Sequence, residues 1–170
     1  MVSIKRLVLM ALFSATAFVL QIALASFPNI ELVTLWFLVI AQMITLKESF
    51  IVIFIFTLLE ALVWGFGDWV IGYLWIWLIW MILIQTLKPT LKENEYAWAF
   101  LGLLYGLIFG GLFAIQYALM YGVQMGMLYW LRGLLFDLIH GASNFILILI
   151  LYKPLIKSTQ KLLNRWRYLE

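Results

Sequence analysis

Residues 69–87 read WVIGYLWIWLIWMILIQTL, nineteen residues without a single Asp, Glu, Lys or Arg. At ~1.5 Å of helical rise per residue, such a run just reaches across the roughly 30 Å hydrocarbon core of a bilayer. In water it would have to be covered on every side. The rest of the 170-residue chain is built the same way, 66% hydrophobic and only 11% charged, with a mean hydropathy of +1.08. A packed soluble domain of this size also needs a polar exterior. Lipid is therefore the expected solvent for most of the chain.

Similar apolar runs lie on either side, at Leu7–Ala25, Leu32–Leu46, Ser49–Phe66, Ala97–Tyr121 and Leu131–Tyr152. The expected fold is an all-α membrane protein, a bundle of six transmembrane helices forming a single domain over 1–170. The second run is short and follows a stretch that is polar for this chain, Ser26-Phe27-Pro28-Asn29-Ile30-Glu31. That connection is expected to dip back into the protein, because unpaired backbone facing lipid is costly. Six spans with short loops use nearly the whole chain, so an ATPase, kinase or nucleic-acid module is expected on another polypeptide. Residues 1–25 imitate a signal peptide, with Lys5-Arg6 before an apolar run and Ala23-Leu24-Ala25 after it. The run is long for a signal core and reads as the first membrane helix.

Charge sets the expected orientation. With both the N and C termini cytoplasmic, the inner segments hold Lys5, Arg6, Lys47, Lys88, Lys92, Lys153, Lys157, Lys161, Arg165 and Arg167. The outer loops hold only Arg132, which is the asymmetry that retains cytoplasmic loops. The same asymmetry accounts for the pI near 9.2 without a nucleic-acid partner. After Pro154 the basic tail 153–170 interleaves Leu155, Ile156, Leu162, Leu163 and Trp166, and is expected to extend helix 6 along the inner membrane surface. With no cysteine, disulfides and thiolate metal sites are excluded.

Two features of the spans carry more information. Gly102, Gly106, Gly110 and Ala114 recur every fourth residue, so helix 5 presents a smooth face for close packing and is expected near the centre of the bundle. Ala11 and Ala15 form a smaller pair on helix 1, with Ser14 beside them. The second feature is polar. Ionisable groups in a membrane cost about 2.5–3.5 kcal/mol each on insertion scales, so they face a cavity or a partner. Glu60 on helix 3, Gln116 and Tyr117 on helix 5, and Asp137, His140 and Asn144 at spacings of three and four on helix 6 fall in the outer half. Asn29, Glu31, Asp68 and Arg132 join them from the outer loops, and Trp64, Trp69, Tyr73, Trp77, Tyr121 and Trp130 supply rings around them. Inward there is little beyond Gln42 and Gln85. A pocket open to the outside satisfies these groups most simply.

Each group also has a structural explanation. Trp and Tyr at span ends are commonly interfacial anchors, and Asp137–His140 or Arg132 with Asp68 or Glu31 can be plain structural pairs. Glu60 has no basic residue on its own helix. Asp137, His140 and Glu60 offer three possible metal ligands, but one His, no Cys and no His-Glu-x-x-His helix make a poor metal signature, so no metal is expected. Ser143 neighbours His140 in sequence, yet adjacent helical positions point apart, which disfavours a hydrolase. The chain is expected not to be an enzyme. A self-contained proton-coupled carrier using Glu60, Asp137 and His140 is a competing reading, without an inverted repeat to support it; a structural subunit with no ligand is another.

Several stretches resemble one family. Ala11-Leu-Phe-Ser-Ala15 is similar to the Ala-x-x-x-Ala motif of the substrate-binding S components of energy-coupling factor transporters, which import vitamins into bacteria. Residues 28–34 (PNIELVT), 59–67 (LEALVWGFG) and 136–144 (FDLIHGASN) resemble one subgroup of these proteins. The resemblance covers essentially the whole length. It implies a multi-pass protein of the bacterial plasma membrane that captures a small-molecule vitamin in its outer half. It also implies docking through Ala11 and Ala15 onto a transmembrane coupling subunit, with two partner ATPase subunits using ATP and no cofactor in this chain. The subgroup points to a vitamin B6 compound (pyridoxal, pyridoxine or pyridoxamine), with thiamin or a related precursor as the alternative. The candidate substrate-binding residues are Asn29, Glu31, Glu60, Trp64, Trp69, Tyr73, Gln116, Asp137, His140 and Asn144. A pyridine ring can stack on Trp or Tyr, a thiamin-like cation can use Glu60 and the aromatics, and a folate- or pantothenate-like anion would want more than one outer basic residue.

Overall fold

A computed structural model describes residues 4–167, with side chains through Arg165. The last three residues of the expected tail, and the side chains of Trp166 and Arg167, lie outside the described residues. The order is α1 (Ile4–Ala23), α2 (Val33–Ala41), α3 (Leu46–Trp64), α4 (Asp68–Leu91), α5 (Glu95–Tyr121) and α6 (Val123–Arg167). Of these, α1, α4, α5 and α6 are long and apolar enough to cross a membrane. The chain is a helical membrane protein. α3 has the length but carries Lys47, Glu48 and Glu60, and α2 has nine residues.

Helix ends follow local chemistry. Thr45 and Glu48 form a reciprocal capping box that starts α3, and Glu48 is also gripped by the Arg6 guanidinium through two bonds of 2.6 Å. Asn94 accepts from the Tyr96 and Ala97 amides at the start of α5. The Glu31 carboxylate accepts from the Thr34 amide and so caps the first turn of α2.

Helix 2 is shorter than expected from its apolar run, which reaches Leu46. Nine residues rise only about 14 Å, so α2 cannot span a bilayer by itself. It lies inside the protein, with eight of its nine residues buried, against α1, α4 and α6. Side chains from other helices hold its first turn and the link that follows it. Trp80 donates to the Thr34 carbonyl, Gln85 to the Ile44 carbonyl and to Ser49 Oγ, and Tyr152 to Gln42 Oε1. That is the use the fold makes of the inner amides Gln42 and Gln85. α2, not helix 5, occupies the centre.

α5 packs chiefly along α6, and the glycine stripe explains how. A Cβ at Gly106 would lie 2.6 Å from the Gly141 Cα and amide N, and one at Gly110 2.5 Å from Asp137 Oδ1. A Cβ on Gly102 would run into Ile148. The reciprocal contact is as tight: a Cβ on Gly141 would meet the Leu103 carbonyl at 2.8 Å. The two helices join through Gly122 alone, at φ 92°, a conformation that strains any other residue. α6 therefore starts at Val123, eight residues before the expected Leu131, and continues through Pro154 to Arg167, 45 residues in all. The basic tail is helical as far as Arg167, and Ile156 and Thr159 are buried against the bundle.

Candidate functional site

The polar residues gather where the first loop folds down onto α6. Asn29 sits in the left-handed region at φ 57°, which an asparagine tolerates well. Its amide donates to the Phe136 carbonyl at 3.1 Å. Ser143 Oγ donates to the carbonyls of Asn29 (3.2 Å) and His140 (3.0 Å). Two residues on, Glu31 Oε1 lies 3.1 Å from His140 Nε2. An ionised carboxylate only accepts, so Nε2 donates and Nδ1 is left without a partner. Burial works to raise the Glu31 pKa. The hydrogen bond and charge of His140, with the Thr34 bonds, outweigh it, and the carboxyl is held below its ordinary value of 4.5.

Two adjoining cavities open beside this clasp. The larger, about 590 Å³, is lined by Asn29 and Tyr73, by Phe109, Gly110, Phe113 and Tyr117 of α5, and by Met125, Leu128, Tyr129, Arg132, Gly133, Phe136 and Asp137 of α6. The smaller, about 280 Å³, lies under residues 24–31 and reaches Tyr73, Trp77, Phe109, Glu31 and His140. Asn29, Tyr73 and Phe109 belong to both and form the partition. The aromatic wall is continuous: Tyr117 stacks on Tyr129 at 4.4 Å, Phe113 tilts against Tyr73, Phe109 and Tyr129, and Phe109 meets the His140 ring edge-on at 4.8 Å. Asp137 is only 4% exposed; its Oδ1 accepts from the Gly110 amide at 2.9 Å and its Oδ2 has no partner.

Of the residues expected to bind substrate, Asn29, Glu31, Tyr73, Asp137 and His140 come together around these cavities. Asn144 lies one turn below His140, buried beside Gly102, with both amide atoms unpartnered. Glu60 is buried and lines neither cavity, and its Oε1 has no hydrogen-bond partner among the described residues. Trp64 is exposed. Trp69 packs edge-on against Tyr73 from behind the wall. Gln116 is a strut between helices, accepting from Trp75 Nε1 and donating to the Asp68 carbonyl. Ala11 and Ala15 lie exposed on α1, while Ser14 beside them is turned into the bundle and bonds the Met10 and Val52 carbonyls.

Phe109, Phe113 and Tyr129 were not among the expected residues. The first two could have been found, since Phe109, Phe113 and Tyr117 recur every fourth residue and share one face of a helix. Tyr129 falls in the stretch read as a loop. Among the described residues no group of three His, Cys, Asp or Glu is placed to hold a metal ion. Ser143 spends its hydroxyl on backbone carbonyls rather than on the His140 ring. The larger cavity thus presents a carboxylate, a guanidinium and an amide set in aromatic walls. No known family model, curated protein or solved structure matches this chain.

Proposed function

We propose that this chain is the substrate-capture subunit of an energy-coupling factor importer for a small vitamin, a vitamin B6 compound being the best-fitting candidate. In this reading the chain passes through the bacterial plasma membrane six times with both ends cytoplasmic, the second passage made by the buried α2 and its flanking links. The cavities face outward, at the end of the bundle away from the ten basic residues. The exposed Ala11–Ala15 face of α1 docks on the coupling subunit, and two ATPase subunits supply the work of release. The observation that carries this reading is Asp137, a buried carboxylate with a free oxygen on the wall of a ring-lined cavity of about 590 Å³. Cavities of 300–1,000 Å³ with few, well-placed polar groups are typical of small-molecule sites.

The test is to purify the chain in mild detergent and identify by mass spectrometry any small molecule released on denaturation, alongside direct binding of pyridoxine, pyridoxal, pyridoxamine and thiamin. Tight binding of one B6 compound is expected. A protein that carries no small molecule and binds none of the common vitamins would sink the proposal.

A further inference from the structure

We infer that the larger cavity selects a dipolar ring: an aromatic molecule carrying a cation or ring N–H at one end, set on Asp137, and an anionic group at the other, set on Arg132. The inference rests on reading the cavity as a capture site, and goes further by fixing the charge pattern of what is captured. It separates the two vitamin classes left open above, because a ring with only a positive charge leaves Arg132 unanswered.

The argument begins with Asp137. The residue is 4% exposed, and among the described residues one backbone amide is the only group that donates to its carboxylate. A buried carboxylate without a counter-ion costs several kcal/mol, so its free Oδ2 calls for a donor or a positive charge. Nothing in the chain answers it: among the described residues Oδ2 has no hydrogen-bond partner, no Lys or Arg pairs with it, and the His140 imidazole one turn along α6 is engaged by Glu31 instead. Gly110 keeps the approach close, because a Cβ there would lie 2.5 Å from Oδ1. Arg132 lines the same cavity, yet it is exposed and makes no ion pair among the described residues. Five residues separate the two on α6, about 7–8 Å of helical rise, so one ring-sized molecule with substituents can touch both.

Arg132 therefore stands where an incoming molecule first meets charge, and Asp137 where it comes to rest. A plain anion is welcomed at the rim and repelled below. A plain cation meets the reverse. Only a molecule carrying both satisfies both residues, and the faces of Tyr73, Phe113 and Tyr129 favour one whose body is flat. A zwitterionic lipid headgroup has the same two charges without the ring, so it must be told apart by experiment.

The purified chain in a maltoside detergent would be titrated with five probes: N-methylpyridinium-3-carboxylate (ring, both charges), 1-methylnicotinamide (ring, cation), benzoate (ring, anion), nicotinamide (ring, neutral) and phosphocholine (both charges, no ring). The first is expected to bind at least tenfold more tightly than each of the others. Asp137→Asn should cost the first probe and the cation tenfold or more and leave benzoate unweakened. Arg132→Gln should cost the first probe and benzoate and leave the cation unweakened. Should Asp137→Asn fail to fold, Arg132→Gln at the exposed rim decides alone. Equal affinity for the neutral or the anionic ring, an unchanged ranking in the variants, or no binding by any ring probe overturns the inference. Phosphocholine binding as tightly as the first probe overturns the ring and assigns the site to a headgroup. A neutral or purely anionic native ligand, identified by mass spectrometry, leaves the capture reading standing and removes this one. No native ligand and no vitamin binding removes both.

Discussion

Glu31 shows how much one side chain organises. One carboxylate oxygen caps α2 and the other clasps His140, so the same residue starts the central helix and holds the first loop against α6. Its pKa lies below 4.5 in the folded protein, so the stabilisation it provides is fully present above about that pH and is lost as pH falls through the lower, folded value. Glu31→Gln keeps the shape and removes the charge. It is expected to lower stability at pH 7 by about 1–3 kcal/mol, the range for loss of a charge-assisted bond. Thermal unfolding in detergent should show a lowered midpoint at pH 7, with the gap from wild type holding down to about pH 4.5 and narrowing only below it. A gap that stays constant below about pH 4.5 as well would mean the charge plays no part. That Glu31, Asp137 and His140 meet a polar partner or a cavity is legible in the sequence, because ionisable groups in an apolar chain must be answered by something. Their partners were not. Glu31 meets His140 across 109 positions only because the loop folds downward, and no periodicity encodes that. Gln116 misled for the opposite reason: an amide in a span looks like a ligand group whether it faces a cavity or, as here, ties Trp75 to the Asp68 carbonyl.

At the scale of elements, what hydropathy registers is apolar length, and it fails where a helix is apolar for another reason. α2 is apolar because protein surrounds it, not lipid, so the run 32–46 was a fair sign of burial and a poor measure of helix length. The start of α6 was missed because the apolar, Gly-containing segment 122–130 looks like a loop, whereas Gly122 alone makes the turn and Gly126 serves packing. A Cβ at Gly126 would lie 2.6 Å from the Ala114 carbonyl. The four-residue glycine repeat was read for what it is, a close-packing face. Gly106→Val places a branched side chain against the α6 backbone at His140 and Gly141, where nothing can rotate away. The α5–α6 pair should separate locally, at an overpacking cost of at least about 1–3 kcal/mol. Because Gly110 and Asp137 share the seam, binding in the larger cavity should weaken with it. The measurement is a thermal midpoint beside a binding isotherm. Gly133→Val, at a position where an added Cβ meets nothing within 4 Å, is the control for helix propensity in the thermal midpoint alone, since Gly133 also lines the larger cavity. Equal losses of midpoint in both variants would argue against a packing seam.

The whole molecule is polarised. The basic residues Lys88, Lys92, Lys153 and Lys157 lie toward the end where Tyr152 meets Gln42, and the cavities toward the end where Asn29 meets Phe136. The path of the chain ties these ends to sides of a membrane. The turns at Gly65–Gly67 and Gly122 lie at one end, the turn at Lys92–Asn94 and the α6 extension at the other. In the proposed topology an even number of passages, counting α2 with its links as one, returns both termini to the basic side, and the distribution of Lys and Arg is the ground for proposing that this side is cytoplasmic. The absence of cysteine makes this directly testable, because any introduced thiol is the only one. Phe66→Cys and Gln124→Cys, exposed at the two turns, should react with a membrane-impermeant maleimide on intact cells. Glu93→Cys and Lys157→Cys, also exposed, should react only after the cells are opened. Labelling of Gln124→Cys and Lys157→Cys from the same side would mean that α6 does not cross, and with it the outward-facing cavity would fall. The full reverse pattern would keep the fold and turn the cavity to the cytoplasm, where a capture subunit has nothing to import.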